Sequence, residues 1–165
     1  MNALVLLIVC VPFVAYDLIA RRVPNRLVLI VALAQGVLLS LGRVPPGWGA
    51  ALAGFSAAAA LMLPLYAVRL LGAGDVKFAA LLGLLIGPVP LLVAWLLANL
   101  AAGAHALLHY ASARYGTVGW LGASLGQRQW WHRVQSARQG REGIPYAAYM
   151  ALAACVAVRY LPLAS

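Results

Sequence analysis

Three observations predict an all-α, polytopic membrane protein of about six transmembrane helices with its N-terminus outside. The composition is too apolar for water, long apolar runs follow one another with short polar breaks, and the basic residues are unevenly distributed. Of 165 residues, 65% are hydrophobic and only 9% charged, with a mean hydropathy of +0.92. A soluble fold of this size cannot bury so large an apolar fraction. The net charge of +9 would suit nucleic acid, but no basic, aromatic-interleaved soluble module carries it, so no nucleic-acid partner is expected. Orientation in the bilayer accounts for it better.

The first apolar run, residues 3–20, has no basic residue ahead of it and is followed by Arg21 and Arg22. That polarity reads as a retained first helix rather than a cleaved secretion signal. Further helices are expected at 27–42, 48–71, 76–87, 89–111 and 144–163. The fourth is short for a span, because twelve residues rise only about 18 Å against a hydrocarbon layer of about 30 Å. Gly87-Pro88-Val89-Pro90 demands a break after it, since paired prolines remove helix donors. Residues 76–111 are therefore two helices or one kinked span, and two are favoured. The interiors of these helices are rich in small residues, such as Ala57 to Ala60, Gly83 and Gly87, which allow close helix approach. Gln35 and Asn99 are expected to make interhelical hydrogen bonds.

The basic residues test this topology. With the N-terminus outside, Arg21, Arg22, Arg26, Arg69, Lys77, Arg114, Arg128, Arg133, Arg138 and Arg141 fall on the inner face. Only Arg43 and Arg159 of the twelve fall outside, as the positive-inside rule requires. The chain then reads as a single membrane-embedded domain over 1–165, with one sizeable polar stretch, 112–143, in the cytoplasm. Within it Trp130, Trp131, Val134 and Ala137 fall near helical spacing among arginines. Either an amphipathic helix lies there on anionic lipid, or the stretch is a solvated loop.

Only three acids occur, and two of them, Asp17 and Asp75, sit against apolar runs. A carboxylate at the edge of hydrocarbon is costly and is usually retained for function. Each has a structural alternative. Asp17 can pair with Arg21 one turn later, and Asp75 can cap the fourth helix. Those alternatives leave unexplained why both acids fall at cytoplasmic helix ends and at one depth. Two carboxylates within hydrogen-bond reach cannot both ionise, so the pair holds one proton. The ionised member can then activate water while the protonated member donates to a carbonyl oxygen. Gly72 and Gly74, without side chains, would let an extended substrate backbone approach Asp75 and would permit unusual dihedrals.

Three motifs in order carry a family resemblance: Asp17-x6-Pro24-Asn25 after the first helix, Gly72-x-Gly74-Asp75-x-Lys77 before the fourth, and Ile144-Pro145-Tyr146 opening the last. Together they resemble the type IV prepilin peptidases, GxGD-type membrane aspartyl proteases. The resemblance implies a catalytic dyad of Asp17 and Asp75, with Gly72, Gly74, Lys77, Pro24, Asn25, Pro145 and Tyr146 as substrate-binding or supporting residues. It also implies hydrolysis of the leader from type IV or Flp-like prepilins at the cytoplasmic face of the bacterial inner membrane, in pilus assembly and protein secretion. Larger members add a cytoplasmic region with paired C-x-x-C motifs and N-methylate the new terminus. This chain has only Cys10 and Cys155, both inside apolar runs. It therefore resembles the small, peptidase-only branch associated with Flp-type pili for tight adherence, with no methyltransferase activity and no cofactor. In the last motif, Ala-Ala-Tyr follows Tyr146 where many relatives carry Gly-Pro-Ala.

Other chemistries are less well supported. Gly122-Ala123-Ser124-Leu125-Gly126 matches the hydrolase elbow pattern, but no strand precedes it. His105 and His109 lie one turn apart, yet Ala106 stands where a zincin needs glutamate, so no metal is expected. Cys10 and Cys155 form no C-x-x-C pair, which argues against a disulfide framework or a thiolate metal site. Glu142, beside Arg141, reads as a solvated acid. From a different class, a small ion-coupled transporter or a non-catalytic membrane subunit would also carry intramembrane carboxylates. A transporter places them near the midplane and often shows internal repeats. Here they lie at one face, and no repeat is found.

Overall fold

Apolar chain with few polar side chains must satisfy its backbone internally, and every described element is an α-helix. The computed structural model describes residues 3–20, 23–115 and 146–161. Its elements are α1 (Ala3–Ala20), α2 (Asn25–Ser40), α3 (Trp48–Ala67), α4 (Ala73–Ile86), α5 (Pro88–Tyr115) and α6 (Tyr146–Tyr160). No strand occurs among the described residues. The all-α class therefore holds. Among the described residues, two helices are long and apolar enough to cross a membrane, one spanning Trp48–Ala67 and the other Pro88–Ser112, while α1, α2 and α6 are apolar but shorter. The polar stretch predicted at 112–143 begins inside α5, which runs to Tyr115 rather than ending at 111; the rest of it, with the Gly122–Gly126 motif and Glu142, lies outside the described residues.

Helix ends differ from the expected ones for local reasons. The third helix stops at Ala67 rather than 71, because Arg69 turns left-handed at φ +60°. There the amides of Arg69 and Leu70 donate back to the carbonyls of Tyr66 and Leu65, each at 2.9 Å, closing the helix as a glycine usually does. Gly42, at φ +62°, closes α2 in the same way. The fourth helix begins at Ala73, three residues before the expected start, so Asp75 lies inside its first turn. With 14 residues it is still only about 21 Å long. Gly87, at φ +78°, ends it, and Pro88 opens α5. The region 76–111 is thus two helices.

Burial sorts the sides of these uniformly apolar helices. The buried residues of α1 are Leu6, Cys10, Phe13 and Asp17, a 4-3-4 spacing that forms one stripe. Leu4, Ile8, Leu29, Leu33 and Leu100 point outward and are mostly exposed. The most enclosed element is α4, with Phe78, Ala79, Leu81, Leu82, Gly83, Leu85 and Ile86 all buried. It packs chiefly along α3 and also meets α2, α5 and α6, while α6 lies between α1 and α5. Where α3 crosses α4, Gly54 meets Gly83 backbone to backbone. A Cβ built on Gly83 would fall on the Gly54 carbonyl and 2.9 Å from the Phe55 nitrogen. This is the close approach that small residues allow between helices.

The two polar residues expected to bridge helices part ways. Asn99 on α5 donates through Nδ2 to the Tyr146 hydroxyl on α6 at 3.2 Å. Gln35 is buried at 4% exposure, but its amide nitrogen has no hydrogen-bond partner among the described residues.

Candidate active site

The buried stripe of α1 ends in Asp17, one turn before the helix stops. This acid is 7% exposed. The opposite wall comes from the first turn of α4. There the Gly72 carbonyl accepts the Asp75 amide at 3.1 Å, and the Asp75 carboxylate Oδ2 accepts the Gly72 amide, also at 3.1 Å. Asp75 therefore caps its helix from the third position, reaching back, rather than from the position ahead of it. That bond fixes the carboxylate at the helix mouth, where the helix dipole favours negative charge. Asp17 and Asp75 lie within electrostatic reach of one another. The two helices come from sequence positions almost sixty residues apart, and they run in opposite directions.

Gly72 and Gly74 fit for a reason other than the expected one. Neither takes a positive φ, and Gly72 sits at φ −78°, ψ 151°. Close approach is what needs them. A Cβ on Gly72 would lie 3.2 Å from Asp75 Oδ2, and one on Gly74 would lie 3.3 Å from Val23 Cγ2 and 3.6 Å from the Val23 nitrogen. The first turn of α4 is thus pressed against the connection between α1 and α2. Pro24 caps α2, and its carbonyl accepts the Val28 amide at 3.2 Å. Next to it, Asn25 Oδ1 accepts the Lys77 ammonium at 2.9 Å. The Pro-Asn and Gly-x-Gly-Asp-x-Lys motifs, distant in sequence, are joined by this hydrogen bond.

The last motif reaches the same end of the bundle. Tyr146 opens α6 and lies within electrostatic reach of Asp75. Its hydroxyl oxygen accepts from Asn99, whose same Nδ2 also donates to the Trp95 carbonyl at 2.7 Å. Pro145 and Arg21 lie outside the described residues. Elsewhere between the same two helices, His105 Nδ1 and the Tyr149 hydroxyl are 2.5 Å apart with their rings edge to face. His105 therefore ties α5 to α6. One contact was missed in the sequence. Phe13 and Phe78, four residues before Asp17 and three after Asp75, meet with ring centroids 5.1 Å apart. The spacing alone puts each ring on the same helix face as its aspartate.

A family model described as the type IV leader peptidase family matches residues 4–107. The chain belongs to this family. The matched segment holds Asp17, Pro24, Asn25, Gly72, Gly74, Asp75 and Lys77 and ends before Tyr146. No curated protein and no solved structure gives a significant match. As a leader peptidase family member the chain is a protease, a hydrolase of peptide bonds.

The Lys77–Asn25 link allows a measurement on this leader peptidase. Asn25→Leu should lower its stability by about 0.5–1.5 kcal/mol, the usual net worth of one hydrogen bond. Asn25→Asp, which keeps an acceptor for the ammonium, should restore it. Thermal unfolding in detergent reads both, and equal melting of Asn25→Leu and wild type would remove the link from the fold's support.

Proposed function

We propose that the chain is a membrane aspartyl endopeptidase that removes the leader of type IV or Flp-like prepilins at the cytoplasmic membrane face. Asp17 and Asp75 are its catalytic pair. The observation that carries this reading is that Asp17 on α1 and Asp75 on α4 lie within electrostatic reach of one another, inside the segment matched by the leader peptidase family. All six helices belong to the membrane domain, with the N-terminus outside. The shorter ones are accommodated by tilt and local thinning of the bilayer.

The chemistry follows from two carboxyls that share one proton. The ionised carboxylate takes a proton from water as the water oxygen bonds to the scissile carbonyl carbon. The protonated carboxyl gives its proton to the carbonyl oxygen. When the tetrahedral gem-diol collapses, the C–N bond breaks and the leaving nitrogen takes the proton held by the protonated carboxyl. The hydroxyl that re-forms the carbonyl gives its proton to the ionised one, so the pair ends with one proton as it began. The dyad titrates as a unit, so neither role belongs to one aspartate alone. Gly72 and Gly74 keep α4 pressed against the α1–α2 connection, which holds Asp75 at the wall opposite Asp17. Lys77 and Asn25 pin that junction.

Anionic lipid is the partner of the basic cytoplasmic face. That face is too positive to draw in a basic leader by itself, so recognition must rest on the cleavage-site backbone and on the substrate's apolar segment. Co-expression with candidate prepilins, followed by intact-mass measurement, tests the reading. The expected product lacks its leader and keeps an unmodified N-terminal amine, as suits the small, peptidase-only branch. A product heavier by one methyl group, dependent on this protein, would overturn the peptidase-only assignment. Failure to process any prepilin-type precursor would overturn the substrate class.

A further inference from the structure

Directly beneath the two aspartates lies an aromatic pair with no part in the chemistry. Phe13 and Phe78 are among the most deeply buried side chains of the protein, at 0% and 1% exposure. Their ring centroids are 5.1 Å apart, with planes tilted by 39°, well inside the range of a direct aromatic contact. Phe13 lies four residues before Asp17 on a helix running toward the carboxylate end. Phe78 lies three residues after Asp75 on a helix running away from it. Those spacings put the rings about 6 Å and about 4.5 Å below their respective carboxyls. They therefore meet at one depth, as the first apolar layer under the site.

What else joins α1 to α4 is informative. The backbone of α1 packs along α6, and that of α4 along α3, with α6 as their common neighbour. Between α1 and α4 themselves backbone packing is slight, and the Phe13–Phe78 ring contact bridges them. We infer that Phe13 and Phe78 are positioning residues for the carboxylate pair: their contact sets the spacing of α1 and α4 at the site and closes its floor against hydrocarbon.

Two physical consequences follow. A misplacement of about 1 Å in a catalytic constellation costs on the order of 10²-fold in rate. A spacer one turn from the reacting groups can impose that. The coupling between two carboxyls also depends on their separation, so any change in spacing must alter the gap between the two apparent pKa values of the pair. Ordinary core packing would change stability without moving that gap.

The inference rests on the aspartyl dyad proposed above, and its test separates the two. Purified Phe13→Leu and Phe78→Leu variants are assayed for cleavage of a prepilin peptide across pH. Spin labels at positions 20 and 76, in a background lacking Cys10 and Cys155, report the distance between the helix ends. Both variants should lose roughly 10- to 100-fold in kcat, with KM within about twofold. The label distance should change, and the gap between the acid and alkaline limbs should widen if it shortens or narrow if it lengthens. Leu82→Ala, also fully buried and one turn deeper on α4, should lower the melting temperature while leaving that gap as in wild type. Phe-to-Leu variants that fold yet keep wild-type kcat, gap and distance would overturn the inference while leaving the dyad intact. So would a Leu82→Ala variant that shifts the gap equally. If a leucine variant does not fold, the milder Phe13→Met is measured in its place against the same criteria. Full activity in Asp17→Asn would instead remove the dyad itself.

Discussion

Asp17→Asn and Asp75→Asn, introduced singly, should each reduce prepilin cleavage by roughly 10²–10⁴-fold, the range associated with loss of a general acid or base. Asparagine matches aspartate in shape, so Asp17, at 7% exposure, is replaced without opening a cavity, and insertion and melting should stay close to wild type. What is lost is the proton. An amide can neither accept one from water nor hand one to the carbonyl oxygen, and its partner is left to ionise alone. Asp17→Glu should retain at most a trace, because the longer arm displaces the carboxyl. Glu142→Gln should process normally. The ratio of mature to unprocessed precursor in co-expressing cells measures all four. Near-normal processing by either asparagine variant would sink the aspartyl mechanism, and a dead Glu142 variant would mean that the wrong acids had been paired.

The largest structural effect is expected at the crossing of α3 and α4. Gly83→Val should cost about 3 kcal/mol or more, at or above the upper end for overpacking a core. The added carbons would occupy the Gly54 carbonyl and approach the Phe55 nitrogen. Both are backbone, and neither can rotate away. The helices must separate, and because α4 carries Asp75 the loss of stability should bring a loss of cleavage. Gly54→Val should behave alike, since a Cβ there would fall on the Gly83 carbonyl and 2.8 Å from the Gly87 carbonyl carbon. Gly49→Ala and Gly103→Ala are the controls. Nothing lies within 4 Å of a Cβ at either position, and alanine is the better helix former. Thermal unfolding in detergent compares them. A Gly83→Val protein as stable as Gly103→Ala would show that the crossing is looser than its geometry.

The sequence by itself determined the helical class, the helices among the described residues and the candidates for chemistry. Composition forces internally bonded helices, Gly87-Pro88 must break the chain, and Asp17 and Asp75 stand out because acids are so scarce. Motif order also led to the leader peptidase family. Periodicity was of little use, because a helix that is apolar all round does not declare its inner face. Which stripe turns inward was decided by tertiary packing, and so were the contacts that follow from it. These are Phe13 on Phe78, Gly54 on Gly83, Gly74 on Val23, Lys77 to Asn25 and Asn99 to Tyr146. Each joins residues far apart in the chain, through shape or a single hydrogen bond, and neither leaves a local pattern in sequence. The same holds for the glycines beside Asp75. Sequence suggested conformational freedom, while the fold uses them for lack of volume, because the first turn of α4 lies against the α1–α2 connection.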